Sequence, residues 1–245
     1  MRLKALSTGN FKIATLQPIT QDSYQKNLEY LIDYIQSSNA ELIVAPELFL
    51  TNFDYDNFDK ASCFYEEAMA KLLTLAPKKI IVLTLNRKID KQYVNQAVVL
   101  YNNRVIHQQN KYKLFKLGNE EKYFKAGEAR EVVTFSINSI NYALLICFEL
   151  RFKELWKQVE RADIILVPAR WGKSRKKHLE ILSQALAIMN QAFVVVSNSA
   201  DDDMASSSAI ISPWGEVNRN DKAEVLESSI QLDEVKKIRR IIRMY

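Results

Sequence analysis

The chain has 245 residues, 48% of them hydrophobic and 26% charged, with 34 Lys plus Arg against 29 Asp plus Glu and a formal net charge of +5. That balance excludes a disordered or low-complexity chain, and residues 1–245 read as a single domain with a large core. The pI near 9.0 invites a nucleic-acid partner, but the basic residues are dispersed among acidic ones without an RNA- or DNA-binding motif, so they read as a solvated surface.

The N-terminal "MRLKALSTGNFKIATLQ" is too polar for a signal peptide, and its second half, "FKIATLQ", reads as a strand. After Pro18 a helix is expected, because Tyr24, Leu28, Leu31, Ile32 and Ile35 recur at helical spacing. A short apolar strand "ELIVAPE" follows, and then a helix near residues 62 to 75. "KKIIVLTLN", "NQAVVLYNN" and "RVIHQQN" read as antiparallel neighbours, the last two joined by a turn at Asn102 and Asn103. "EVVTFSIN" and "INYALLIC" form a second hairpin about Asn138 and Ser139.

A helix over 152 to 161, the strand "ADIILVPA" and a helix over 174 to 191 come next. The strands "AFVVVSNSA" and "SSAIISPWGEV" precede a basic terminal helix, "EVKKIRRIIRMY", whose Val235, Ile238, Ile241 and Ile242 would pack on the body or on a second subunit. Continuous apolar strands such as "IILV" and "FVVV" imply a sheet covered on both faces, hence a layered α/β fold. No run approaches the about 18 apolar residues needed to cross a bilayer, which argues against a membrane protein. With only Cys63 and Cys147 there can be no disulfide framework or four-cysteine metal site, and a reducing cytoplasmic setting is the simplest expectation.

In layered folds of this kind chemistry gathers where strands end. Glu47 follows the strand of "ELIVAPELF" and is enclosed by Pro46, Leu48 and Phe49, a setting that suits a group taking and returning a proton, although a strand-end carboxylate can simply face solvent. In "HQQNKYKLF", Lys111 and Lys113 lie just past a strand, where an ammonium can stabilise a developing oxyanion or merely solubilise a surface. Cys147 ends the apolar "ALLIC" and passes into "FELRFKELWKQ", a plausible helix start. It is either core filling or a thiol given thiolate character by the helix dipole.

Taken together, Glu47 in "PELF", Lys111 in "NKYKLF" and Cys147 in "CFELRF" resemble the Glu-Lys-Cys signature of the nitrilase superfamily of carbon-nitrogen hydrolases, and closest in look are the short ω-amidase-type amidases. The resemblance extends to "KIATLQ", "EKYFKAG", "VPARW", "AFVVVSN" and "AIISPWGEV", so it spans nearly the whole chain. It implies a four-layer α-β-β-α sandwich that forms a homodimer through helices. Cys147 would be the nucleophile, Glu47 the general base and acid, and Lys111 the oxyanion stabiliser, helped by the backbone N–H of Phe148. Glu120 matches a second, assisting glutamate with Glu121 beside it, Arg151 a structural arginine, and Arg170 and Trp171 positions bordering the substrate pocket. The implied reaction needs neither metal nor organic cofactor, and its substrate is a small amide.

Two departures stand out. Leu186 and Met189 replace an Arg and a Glu of the relatives' helix ending, and Ser206, Ser207 and Ser208 stand where the family has a glycine-containing turn, which puts substrate access in question. Hydrolysis of an N-carbamoyl group is the rival within enzymes, and an idle dimeric binding protein is the rival outside them. His107 and His178 sit in no recognisable protease motif.

Overall fold

The computed structural model describes residues 10–244, so the polar stretch before residue 10 lies outside the described residues. Two six-stranded sheets stack face to face, each flanked by helices. The first sheet contains β1 (Phe11–Leu16), β2 (Leu42–Val44), β3 (Ile80–Ile89), β4 (Gln92–Tyr101), β5 (Arg104–Asn110) and β12 (Val225–Ile230), in the order β12-β1-β2-β3-β4-β5. The second contains β6 (Phe135–Ile137), β7 (Ile140–Leu144), β8 (Ile164–Pro168), β9 (Phe193–Ser197), β10 (Ala209–Ile211) and β11 (Val217–Arg219), in the order β11-β10-β9-β8-β7-β6. The helices are α1 (Tyr24–Ser37), α2 (Phe58–Leu73), α3 (Glu120–Tyr123), α4 (Lys153–Gln158), α5 (Lys176–Asn190) and α6 (Asp233–Ile241).

Strand periodicity explains the layering. In the first sheet Ile13, Leu42, Val44, Val82, Ala97 and Val99 point inward and pack with residues of the second sheet. Their neighbours Ala14, Leu16, Ile43, Ile81, Leu83 and Val98 point outward onto Leu28, Leu31, Ile35, Ala68, Met69 and Leu72 of α1 and α2. Side chains alternate across a strand, so a strand buried on both faces reads as a nearly continuous apolar run, as in Leu42–Val44 and Ile164–Pro168. Two side-chain bonds tie the sheets together: Thr15 Oγ1 donates to the Val196 carbonyl at 2.7 Å, and Ser197 Oγ to the Leu16 carbonyl at 2.7 Å.

Both expected asparagine turns are present. Asn102 and Asn103 carry φ of 54° and 57°, and Asn138 and Ser139 carry φ of 51° and 66°, the left-handed backbone that two-residue hairpin turns require and asparagine tolerates. At Ser206 to Ser208 the chain turns through left-handed backbone. Ser206 and Ser207 take φ of 53° and 59° in place of glycine, and the loop is fastened by Ser208 Oγ accepting from the Asn198 amide at 2.9 Å and Ser207 Oγ donating to Glu180 at 2.9 Å. Leu186 fills the core, whereas Met189 is exposed. In α6, Val235 and Ile238 are buried, whereas Ile241 and Ile242 are exposed. Among the described residues no helix is long and apolar enough to cross a membrane.

Candidate active site

Four side chains converge from four different loops. Glu47 follows β2, and its amide donates to the Ala169 carbonyl at 3.1 Å, a bond from the loop of one sheet to the loop of the other. Lys111 follows β5, with its amide on the Asn95 carbonyl at 2.8 Å and its own carbonyl held by the Gly127 amide at 2.8 Å. Gly127 is required there because a Cβ would lie 2.3 Å from the Asn110 carbonyl oxygen. Glu120 opens α3 just after Asn119, whose φ of 57° turns the chain inward.

Cys147 lies past β7 at the start of a five-residue 3₁₀ turn, Cys147–Arg151, with φ of 49°. Left-handed backbone at a residue with a Cβ costs on the order of 1 kcal/mol and has to be held by its surroundings. Glu149 is the holder. Its Oε2 accepts from the Ile146 amide at 2.7 Å and its Oε1 from the Tyr112 amide at 2.6 Å. The Cys turn is thereby tied to the chain just after Lys111.

The centre of the site is a buried ion cluster. Lys111 Nζ donates to Glu47 Oε1 at 2.7 Å and to Glu120 Oε1 at 2.7 Å, and all three side chains are buried. Asn95 Nδ2 donates to the same Glu47 oxygen at 2.7 Å, and Glu120 Oε2 accepts from the Phe115 amide at 3.0 Å. Both bonds to Glu47 fall on Oε1, which leaves Oε2 available for a proton. Burial acts to lower the Lys111 ammonium, but the two carboxylates outweigh it and hold its pKa above the usual value. Burial likewise pushes Glu120 up, against the pull of Lys111.

The Cys147 thiol is pushed well up by burial first and by the Glu47 charge second, opposed by Lys111 and by the Arg170 backbone N–H that it accepts. This corrects the expectation that a helix dipole would confer thiolate character. The turn after Cys147 is a short 3₁₀ segment, and one lysine cannot offset burial beside two carboxylates.

Cys147, Glu47 and Glu120 line one cavity of about 370 Å³, together with Tyr55, Arg170 and Arg175. A second cavity of about 740 Å³ is walled by Tyr112, Leu114, Phe148 and Phe152 and shares Phe115 and Arg175 with the first. A cleft of about 20 Å³ lies against Cys147, Phe148, Arg151 and Trp171. Trp171 is buried, with its indole N–H on the Arg175 carbonyl at 2.8 Å and Arg151 lying over its ring at 4.8 Å.

Arg170 reaches the first cavity with its charge already matched. Its guanidinium pairs with Asp201 and donates to Thr20 Oγ1 at 3.2 Å. Arg151 does not hold the Cys turn; it bonds His178 Nδ1 at 3.0 Å. Lys113 pairs with Glu154 at 3.3 Å, and Glu121 borders the larger cavity. Sequence reading passed over Asn95, a polar break in the apolar strand "YVNQAVVLY" that could have marked it. It also passed over Arg175, a cation at the start of a helix, where the dipole disfavours positive charge.

The comparisons with known proteins agree with this architecture. The family model described as carbon-nitrogen hydrolase matches residues 12–240. The chain is 29% identical over 233 residues to the 2-oxoglutaramate amidase of Bacillus subtilis strain 168, covering 90% of this chain and 89% of that protein. It is 26% identical over 216 residues to omega-amidase YafV of Escherichia coli strain K12, covering 84% and 83%. The fold superposes on XC1258 from Xanthomonas campestris, a CN-hydrolase superfamily protein with an arsenic adduct in its active site. The TM-score is 0.85 at 22% identity, over 96% of this chain and 95% of that one.

Proposed function

Because this chain belongs to the carbon-nitrogen hydrolase family, an amidase-type hydrolase of C–N bonds, we propose that it cleaves the ω-amide of a short carboxylic acid through a thioester on Cys147. The amidase names of its relatives support that substrate class. The observation that carries the mechanism is the buried Glu47–Lys111–Glu120 cluster sharing a cavity with a buried thiol. Two carboxylates and one ammonium already leave the cluster with net negative charge, so a resting thiolate would add a second uncompensated charge. The thiol therefore stays protonated until attack, and Glu47 Oε2 takes its proton as the S–C bond forms.

The carbonyl oxygen then becomes an oxyanion, which the Lys111 ammonium and the Phe148 backbone N–H stabilise. Glu47 returns the proton to the leaving nitrogen, and ammonia departs from a Cys147 thioester. Glu47 next removes a proton from water, the resulting hydroxide attacks the thioester, and the carboxylic acid and the thiol are regenerated. Glu120 positions Lys111 through the second carboxylate contact. No step calls on a metal or an organic cofactor.

The same reading makes the protein a cytoplasmic homodimer. Ile188 and Met189 of α5, Trp214, and Ile241 and Ile242 at the end of α6 are exposed. They form neighbouring ground, since Gln184 of α5 bonds the Gly215 carbonyl and Gln191 the Ile242 carbonyl. Light scattering should give twice the 28.3 kDa chain mass; a monomer contradicts this reading.

An ammonia-release screen over ω-amides and N-carbamoyl compounds, run with the native chain and with Cys147→Ala, tests the activity. Turnover of ω-amides by the native chain alone is expected. Equal turnover by both proteins rules out the thiol mechanism, and turnover of N-carbamoyl compounds alone overturns the substrate class.

A further inference from the structure

Two guanidiniums that border the site have no carboxylate partner among the described residues, and both lie beside the nucleophile. Arg175 borders the 370 Å³ cavity, the 740 Å³ cavity and the narrow cleft that contains Cys147. Arg151 borders the last two. Among the described residues neither guanidinium has a carboxylate within 4.0 Å, although seven other lysines and arginines, Arg170 included, make such pairs with side chains outside their own helix turn. Of the carboxylates that line these cavities, Glu47 and Glu120 are engaged with Lys111 and Asp201 with Arg170 and Thr20, while Asp203 and Glu121 lie more than 4.0 Å from both guanidiniums.

The local structure gives Arg175 no reason of its own to be there. It is the residue that caps the N-terminus of α5, and Lys176, Lys177 and His178 follow it with no acidic residue in the first turn. The positive end of the helix dipole makes this an unfavourable place for a cation and a favourable one for an anion. The backbone is shaped around the guanidinium all the same. Gly172 lies beneath it, and a Cβ at that position would meet Arg175 Nη2 at 2.9 Å. The guanidinium also lies over the Phe115 ring at 5.1 Å. Arg151 is likewise held, over Trp171 and against His178. The two charges are near enough that Arg175, after burial, acts to lower the Arg151 pKa.

We propose that Arg175, with Arg151 beside it, binds the carboxylate of the substrate, and that this pair rather than Arg170 selects an anionic ω-amide over a neutral one. The inference rests on the amidase reading above. A planar guanidinium packed against an aromatic ring and a glycine can meet a carboxylate with two parallel N–H bonds. Its position beside Cys147 places the amide carbon of a short ω-amide acid over the thiol while the far end is held. Arg170, already bonded to Asp201 and Thr20, instead fixes the loop whose backbone N–H meets the Cys147 sulfur.

The test compares succinamate with 4-methylpentanamide, in which an isopropyl group replaces the carboxylate. In Arg175→Ala the ratio of kcat/KM for succinamate to that for 4-methylpentanamide should fall by about 100-fold, chiefly through KM, with Arg175→Lys retaining part of it. An unchanged ratio overturns the assignment. Binding of succinamate to the Cys147→Ala protein, measured by calorimetry, gives a readout free of turnover. It should weaken at least about tenfold on adding Arg175→Ala, and equal binding with and without Arg175 overturns the proposal even where kinetics are slow. Failure of the amidase reading looks different: the native chain would release ammonia from neither compound while the calorimetric difference persisted.

Discussion

Glu149 offers the sharpest test of how Cys147 is mounted. Its carboxyl is fully buried, with Oε2 on the Ile146 amide and Oε1 on the Tyr112 amide. Burial pushes its pKa from 4.5 up to about 7 against the lowering pull of those amides. A group whose folded-state pKa is raised contributes stability below its unfolded value that is lost as pH climbs through the folded one. At 1.36 kcal/mol per pH unit this rise is worth about 3 kcal/mol. Glu149→Gln removes that titration but turns an NH₂ toward a backbone N–H that the carboxyl accepts. A buried donor left unpaired costs about 1–3 kcal/mol.

The variant should therefore be destabilised by about 1–3 kcal/mol at about pH 5, where the native carboxyl is protonated. The penalty should shrink by about 2–3 kcal/mol at about pH 8.5, where the native protein carries a desolvated charge and the variant does not. Denaturant unfolding of both proteins at the two pH values measures this. A penalty constant with pH, or one that grows as pH rises, would refute the reasoning, because it would mean that the backbone N–H groups hold the ionised form more strongly than burial disfavours it. Turnover should drop alongside, since the Ile146 amide is one residue from Cys147.

Removing the cation from the buried cluster by Lys111→Met leaves Glu47 and Glu120 facing each other without compensation. Ammonia release should fall by at least about 1,000-fold, and the unfolding free energy by about 3–5 kcal/mol at neutral pH, recovering in acid as a carboxyl takes up a proton. Gly127→Ala would drive a Cβ to within 2.3 Å of the Asn110 carbonyl oxygen, next to Lys111. It should fail to accumulate as folded protein or melt far lower by circular dichroism. Gly172→Ala displaces the Arg175 guanidinium, 2.9 Å from the new Cβ. It should lower kcat/KM for succinamate more than for 4-methylpentanamide, by a smaller factor than Arg175→Ala does.

Where a local rule determines the outcome, the sequence was readable. The asparagine turns at 102–103 and 138–139, the doubly buried strands and the long amphipathic α1 and α5 all follow from short-range patterns. The strand Val225–Ile230 was not expected. It lies at the edge of its sheet, is only partly buried, and is defined by antiparallel pairing to β1 some two hundred residues earlier in the chain. Glu47, Lys111, Glu120 and Cys147 were identified by their order along the chain and by resemblance.

Their electrostatics were less legible. The state of the Cys147 thiol depends on how deeply the site is buried and how many carboxylates share it, which no stretch around residue 147 encodes. The same reason separates the two arginines. Arg170 next to Trp171 matched a pocket position, but only the fold brings Asp201 and Thr20 onto its guanidinium and leaves Arg175 with no carboxylate within 4.0 Å among the described residues.

The central claim is that Cys147 carries the acyl group during turnover. Intact-protein mass spectrometry of the native chain, quenched in acid while it hydrolyses succinamate, tests it directly. The account predicts a fraction of the protein heavier by one succinyl group, mapped by digestion to the peptide containing Cys147 and absent from Cys147→Ala. An adduct on any other residue, or undiminished turnover by Cys147→Ala, would contradict it.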